Sequence, residues 1–502
     1  MMLKVSSLFT DGAVMCRRKE IRIFGEVPEG QEVHAELTAA DGRLLGEGFG
    51  RGRDGRFIVP LPSLEAHTGC TLTVRAGEEA FTACDIAVGE VFLAGGQSNM
   101  ELELRNADEG PEIIREHRDP LLRFFNVPRK AYVCEDQQQA FDETRWEAIA
   151  PGTGGCNSAV AYFFAAALRK KMPEVPIGII GCYWGGTSVT CWIEEEELRT
   201  LAEGIRYLEE HEARAGDKTM EAYLREEQHF FDVLHAWEES VARFKEENPG
   251  AEWPQIEAAC GPAPWNPPPG PGSPYRPGGL TDSMLQTVTP VSLTGLLYYQ
   301  GEDDAWRTER YDELMVLLVR SWRKRFRDPE LPFLFVQLPM WIDFNAQDNR
   351  CWARTRMAQA AARNALRNSG MVCLLDQGEY GNIHPVVKRP VGERLAELAG
   401  AMLYGGGEVS PRALRKETRG NEIIIHLSAR VMTPDGSMPA LMEIAGEDGV
   451  FVPAAARING MALRLSAEGM DHPLHARYAW CDWSDRVNVF GWNGLPLEPF
   501  VF

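Results

Sequence analysis

The sequence predicts an α/β chain whose central parallel sheet is flanked on both sides by β-rich segments. Three observations carry that reading. Between residues 91 and 404, short apolar runs alternate with helix-prone stretches, and strand–helix–strand order implies parallel strands covered on both faces. Residues 1–90 and 405–502 hold short apolar runs between Gly-, Pro- and Asp-rich turns, with no long helical period. The length of 502 residues also suits about three domains, each able to bury a core. The expected division is therefore 1–90, 91–404 and 405–502.

In the first segment, residues 21–24 and 72–75 read as strands. In the middle, strands are expected at 91–94, 177–180, 293–298, 333–338 and 371–376. Residues 158–171 are nearly all apolar until a basic end, so they predict a buried helix whose last cations suit its dipole. After Pro390, Val391, Leu395, Leu398 and Met402 recur at helical spacing until Gly405. An insertion at about 200–280 interrupts the alternation. Its first part, 200–250, is acidic and helix-prone, and the Pro- and Gly-rich stretch 262–279 predicts an irregular loop, either a connector or a lid. In the tail, 422–427 and 462–465 read as strands.

Composition narrows the functions. Lys and Arg number 52 against 73 Asp and Glu, a formal charge of −21. This excess of acid disfavours nucleic acid and anionic lipid as partners and suits a neutral or weakly charged small molecule. The 11 cysteines include no C-x-x-C pair and read as reduced thiols rather than a disulfide framework or a zinc site. No apolar run approaches the ~20 residues of a membrane span, and the first residues lack a signal-peptide core. The expected location is cytoplasmic.

The chemistry concentrates where strands are expected to end. The run 91–94 leaves through Gly95 and Gly96 and presents Ser98 in a polar turn. Glycines permit the sharp backbone turn that brings a hydroxyl nucleophile to the carboxyl edge of a sheet. Such a serine needs a base, usually histidine. Of the ten histidines, His384 follows an expected strand by a short loop and precedes an expected helix; Pro385 biases it toward an extended conformation. His472 lies in the β-rich tail without that context, and His426 and His475 fall in expected strands. A developing oxyanion needs preorganised donors. The Ser98 N–H, the Gly186 N–H in Trp184-Gly185-Gly186-Thr187 and the Gln300 side-chain amide in Tyr299-Gln300-Gly301-Glu302 are the candidates. Gln97, Asn99, Trp184 and Glu302 are expected to contact substrate. Serine, glycine, amide and histidine thus stand in order at four strand exits, the pattern of a hydrolase acting through an acyl-enzyme.

Several alternatives lack support. Residues 50–55 match G-x-G-x-x-G, but no helix follows. There is no Walker A loop, no H-E-x-x-H metal site and no G-x-S-x-G elbow. No metal or other cofactor is expected.

The blocks Gly-Gln-Ser-Asn-Met at 96–100, Gly-Gly-Thr at 185–187, Tyr-Gln-Gly-Glu at 299–302 and Asn-Ile-His-Pro at 382–385 resemble those of the sialate O-acetylesterase family, within the SGNH hydrolases. The resemblance extends over essentially the whole chain. It implies a flavodoxin-like, three-layer α/β/α SGNH hydrolase domain flanked by sandwich-like β segments, and cofactor-free hydrolysis of O-acetyl esters on sugars. It assigns the nucleophile to Ser98, the base to His384 and oxyanion roles to Gly186 and Gln300. One position departs from the family pattern: an aspartate often stands three residues before the histidine, and here that residue is Gly381. Asp376, Glu379 or a backbone carbonyl near Asn382 are the candidates to orient the imidazole. Acetylated xylan or mannan oligosaccharides are the alternative substrates, and a non-catalytic carbohydrate-binding protein is the alternative class.

Overall fold

A computed structural model describes residues 2–502 apart from Asn266. Its architecture is mixed α/β. The strands that position the site are β1 (Glu79–Gly96), β2 (Asp119–Asn126), β3 (Glu147–Ile149), β4 (Ile177–Tyr183), β5 (Gly295–Tyr299), β6 (Phe333–Val336) and β7 (Ser369–Val372). They lie in the order β3-β2-β4-β1-β5-β6-β7. All neighbours are parallel except the edge strand β3, which runs antiparallel to β2.

Gly96, at the end of β1, is level with Tyr183 of β4 on one side and Tyr299 of β5 on the other. The residues following all three strands therefore emerge together. The chain also reverses its direction of travel across the sheet at β1, the position where ligands bind in open α/β sheets.

Alternate side chains of β1 face opposite cores. Val91 and Leu93 join Leu296, Tyr298, Trp192 and Trp322; Phe92 and Ala94 join Phe163, Phe164, Leu297 and Val391. This two-sided burial explains why the central strands read as continuous apolar runs.

A four-residue helix, α1 (Ser98–Glu101), follows β1 directly. Helix α2 (Ala159–Lys171) starts where expected: Ser158 Oγ accepts the Ala161 N–H at 3.1 Å, and Arg169, Lys170 and Lys171 fill its last turn. The insertion forms α3 (Ala202–Ala215), α4 (Met220–Glu247) and α5 (Trp253–Cys260). Then come α6 (Tyr311–Arg325), α7 (Cys351–Ala365) and α8 (Arg389–Leu403), the last matching the spacing after Pro390.

The flanking segments are built mainly of antiparallel strands, with Val14–Cys16 running parallel to β1. In the first, Glu32–Thr38 pairs with Leu44–Arg51 and His67–Ala76, and His67–Ala76 pairs with the start of β1. The expected division at residue 90 falls inside this one strand, whose Glu90 is buried and accepts from Arg17 Nε at 2.7 Å. In the tail, Glu422–Leu427 lies between Ala413–Arg419 and Ala462–Ser466.

The expected strand at 371–376 is displaced: β7 ends at Val372. Cys373 and Leu375 remain buried but pack with Ile423 and Leu463 of the tail, so their apolar character serves a second core and not the ladder. Among the described residues, no helix is long and apolar enough to cross a membrane.

Candidate active site

Gly96 makes the site possible. Its φ is +132°, and a Cβ there would lie 2.1 Å from the Tyr299 carbonyl oxygen, so only glycine lets β1 turn against β5. The turn delivers Ser98 to the first position of α1. His384 arrives from the loop between β7 and α8, 286 residues away, and its Nε2 lies 2.8 Å from Ser98 Oγ. For Nε2 to accept the hydroxyl proton, the neutral ring must carry its own proton on Nδ1. His384 is exposed as a residue, yet desolvation of its ring holds its pKa below the usual value, and the Lys388 cation lowers it further. Both effects favour the neutral form that a base requires.

The expected third member is not where the sequence placed it. Asp376 is held by Arg394, whose Nη1 and Nη2 donate at 2.7 and 2.6 Å, and by Gln377 Nε2 at 2.9 Å. Glu379 accepts from Asn382 Nδ2 at 2.7 Å, and Asn382 Oδ1 accepts the His384 backbone N–H at 3.0 Å. Glu379 therefore braces the loop rather than the ring. Among the described residues, neither a side chain nor the carbonyl expected near Asn382 accepts from Nδ1. Ser98 and His384 form a hydrogen-bonded pair with no third member among the described residues.

Gly186 has φ +68° in the turn after β4. The turn runs alongside the serine: a Cβ on Gly185 would lie 3.4 Å from Ser98 Cβ. The Gly185 N–H is already given to Glu101 Oε2, whose other oxygen accepts from Arg129. Among the described residues, the N–H groups of Ser98 and Gly186 have no protein acceptor and are free to bind an anionic oxygen.

The Gln300 amide is not free. It is 1% exposed; Nε2 donates to Thr187 O at 3.1 Å and to Asp304 Oδ2 at 2.6 Å, and Oε1 accepts from Tyr311 at 2.7 Å. Both amide hydrogens are committed, which removes Gln300 from the oxyanion donors and makes it a brace for the glycine turn. Asp304 extends that brace, accepting from Ser188 Oγ, Tyr207 Oη and the Val189 N–H at 2.7, 2.7 and 2.8 Å.

Three expected substrate contacts are also buried. Gln97 Oε1 accepts the Gly301 and Asp303 N–H groups at 3.4 and 3.3 Å. Asn99 and Glu302 bond to one another at 2.6 Å. A polar run beside a nucleophile looks the same in sequence whether it faces ligand or scaffold. Trp184 is half-buried against the core. Trp265 and Tyr275, from the Pro-rich segment, reach the site instead, since a Cβ on Gly186 would meet them at 2.6 and 3.4 Å. Asp303 is half-buried beside Tyr275; desolvation, Asp304 and Glu302 push its carboxyl up to about 8.

Glu101, Asp304 and Lys388 are the site residues that sequence reasoning missed. Each lies within three residues of a recognised motif block, so the signal was proximity alone. Away from the site, His34, Glu36 and Glu47 cluster on adjacent strands, but His34 already bonds Glu47 at 2.9 Å and Arg75 bonds Glu36 at 3.0 Å, an ion-pair group rather than a set of free ligands.

Comparison with known proteins agrees with the motifs. Residues 270–399 match the family described as carbohydrate esterase, sialic acid-specific acetylesterase. The resemblance is to the sialate O-acetylesterases. The rat sialate O-acetylesterase is 25% identical over 347 residues, 64% of this chain and 58% of the rat protein. The human one is 21% identical over 454 residues, 83% of this chain and 75% of its own. Among solved structures, a carbohydrate acetylesterase from Xanthomonas citri superposes with a TM-score of 0.77 at 26% identity, covering 99% of both chains. The fold and the resemblance thus extend across the flanking segments as well as the sheet.

Proposed function

We propose that the protein is a carbohydrate O-acetylesterase whose nucleophile is Ser98 and whose base is His384. The observation that carries this reading is the 2.8 Å contact between Ser98 Oγ and His384 Nε2, beside two unoccupied backbone donors. Ser98 Oγ attacks the acetyl carbonyl carbon as its proton passes to His384 Nε2. The Ser98 and Gly186 N–H groups hold the oxyanion. The bond to the sugar oxygen then breaks, and that oxygen takes the proton back from His384. Water, deprotonated by the same imidazole, attacks the acetyl-serine; acetate leaves and Ser98 recovers its proton. Apart from substrate and water, each step uses only side chains and backbone groups of this chain.

The fold reading that accompanies this function is an SGNH-type three-layer catalytic domain between two β-rich domains. The strand order and the nucleophile's position at the switch point support it. The substrate reading follows the relatives: acetylated sialic acid first, acetylated xylo- or manno-oligosaccharides second. The exposed Trp265 indole beside Gly186 suits a sugar ring. Ser98→Ala is expected to lower p-nitrophenyl acetate turnover by at least about 10³-fold with the fold intact. Undiminished turnover would end the proposal, and acetate release from the three classes of acetylated sugar separates the substrates.

A further inference from the structure

Beneath the serine lies a buried polar network that the acetyl-transfer steps do not use. Asn99, next to the nucleophile, is 1% exposed and uses both ends of its amide. Its Nδ2 donates to Glu302 Oε1 at 2.6 Å and to the Ile383 carbonyl, one residue before His384, at 3.0 Å. Its Oδ1 accepts from Lys388 Nζ at 2.6 Å. Lys388, four residues past His384, is 2% exposed and lies 5.6 Å from the centroid of the Tyr299 ring. A single amide thus joins the turn bearing the nucleophile to both sides of the loop bearing the base.

We propose that Asn99 and Lys388 are positioning residues: the Lys388 ammonium fixes the Asn99 amide, and Asn99 locks the loop of His384 onto the helix of Ser98. The inference rests on the Ser98–His384 reading. It explains how a dyad without an acceptor at Nδ1 keeps its geometry. In a triad, a carboxylate orients the ring and stabilises its charged form. Here the orientation comes through the peptide just before the ring, whose Ile383 carbonyl accepts from Asn99 and whose His384 N–H donates to Asn382.

The charges around the network are consistent with this role. Burial pulls Lys388 down to about 8, while Glu302 and Glu379 pull it back up. Burial raises Glu302, and the Asn99 hydrogen bond and Lys388 oppose that rise. Among the described residues Glu302 Oε2 has no hydrogen-bond partner, so Asn99, backbone hydrogen bonding and the nearby ammonium offset its burial.

The test compares Lys388→Met and Asn99→Ala with the parent protein and with Ser98→Ala, on p-nitrophenyl acetate across pH and by the rate at which an organophosphate labels Ser98. Lys388→Met is expected to lower kcat tenfold or more with KM within twofold, and to move the acidic limb of kcat/KM to higher pH. Asn99→Ala is expected to lower kcat and the labelling rate similarly while leaving the limb in place, because Lys388 keeps its charge. A purely structural Lys388 would lower activity without moving the limb. Parent kcat and limb in Lys388→Met would overturn the inference. Should that variant not fold, parent kcat in Asn99→Ala overturns it. Full activity in Ser98→Ala would instead remove the reading on which the inference rests.

Discussion

Gln300 separates two roles that a motif cannot distinguish. In Gln300→Leu the side chain keeps its approximate volume and loses every polar contact. Thr187 O loses its donor at 3.1 Å, Asp304 Oδ2 loses one of two donors, and Tyr311 Oη loses an acceptor at 2.7 Å. Leaving a buried carbonyl unpaired costs about 1–3 kcal/mol, and losing a hydrogen bond to a charged group about 1.5–3 kcal/mol. The total is about 2.5–6 kcal/mol. At ~2 °C per kcal/mol, the low end for large domains, Tm should fall by about 5–12 °C. Activity should fall with it, because the glycine turn loses its brace. Differential scanning calorimetry and p-nitrophenyl acetate turnover on one preparation measure both. A loss of 10²–10³-fold in kcat at an unchanged Tm would mean that the amide is an oxyanion donor, and would refute the hydrogen-bond assignment.

Three further outcomes are expected. Gly186→Ala places a methyl group 2.6 Å from Trp265 at φ +68°, so kcat should fall about tenfold or more as the donor shifts; equal kcat would show that this turn does not supply the N–H. Asp376→Asn breaks the bidentate pair with Arg394, so thermal stability should fall while the pH–rate profile keeps its shape; a displaced limb would restore Asp376 as the partner of His384. Because desolvation and Lys388 both depress the His384 pKa, the acidic limb of kcat/KM should lie below the ordinary imidazole range near 6.5. Activity is lost as pH falls through that value, and a limb above 7 would contradict the assigned surroundings.

The strand exits were legible because their chemistry is local. Two glycines before Ser98, two after Trp184 and a proline after His384 each constrain the backbone where they stand. Parallel strands buried on both faces turn those constraints into one shared edge. What the sequence concealed was direction. Gln97, Asn99, Gln300 and Glu302 are polar motif residues, and whether such groups face substrate or scaffold depends largely on partners distant in sequence, from Thr187 for Gln300 to Lys388 for Asn99. Asp376 looked available to His384 until Arg394, one helical segment later, claimed it. Strand β2 was obscured by Pro120 and by Arg123, whose buried guanidinium caps the carbonyls of Gly12 and Asp85 at 2.8 and 2.6 Å. The run at 373–375 was read as strand because apolar content is common to ladders and to cores.

The most direct test of the Ser98–His384 mechanism is to trap the acetyl-enzyme. Quenching the protein with acid during turnover of p-nitrophenyl acetate, followed by peptide mass analysis, should find a single acetyl group on Ser98. The adduct should be absent from Ser98→Ala and strongly reduced in His384→Ala. An acetyl group on another side chain, or full labelling of Ser98 without His384, would contradict the mechanism.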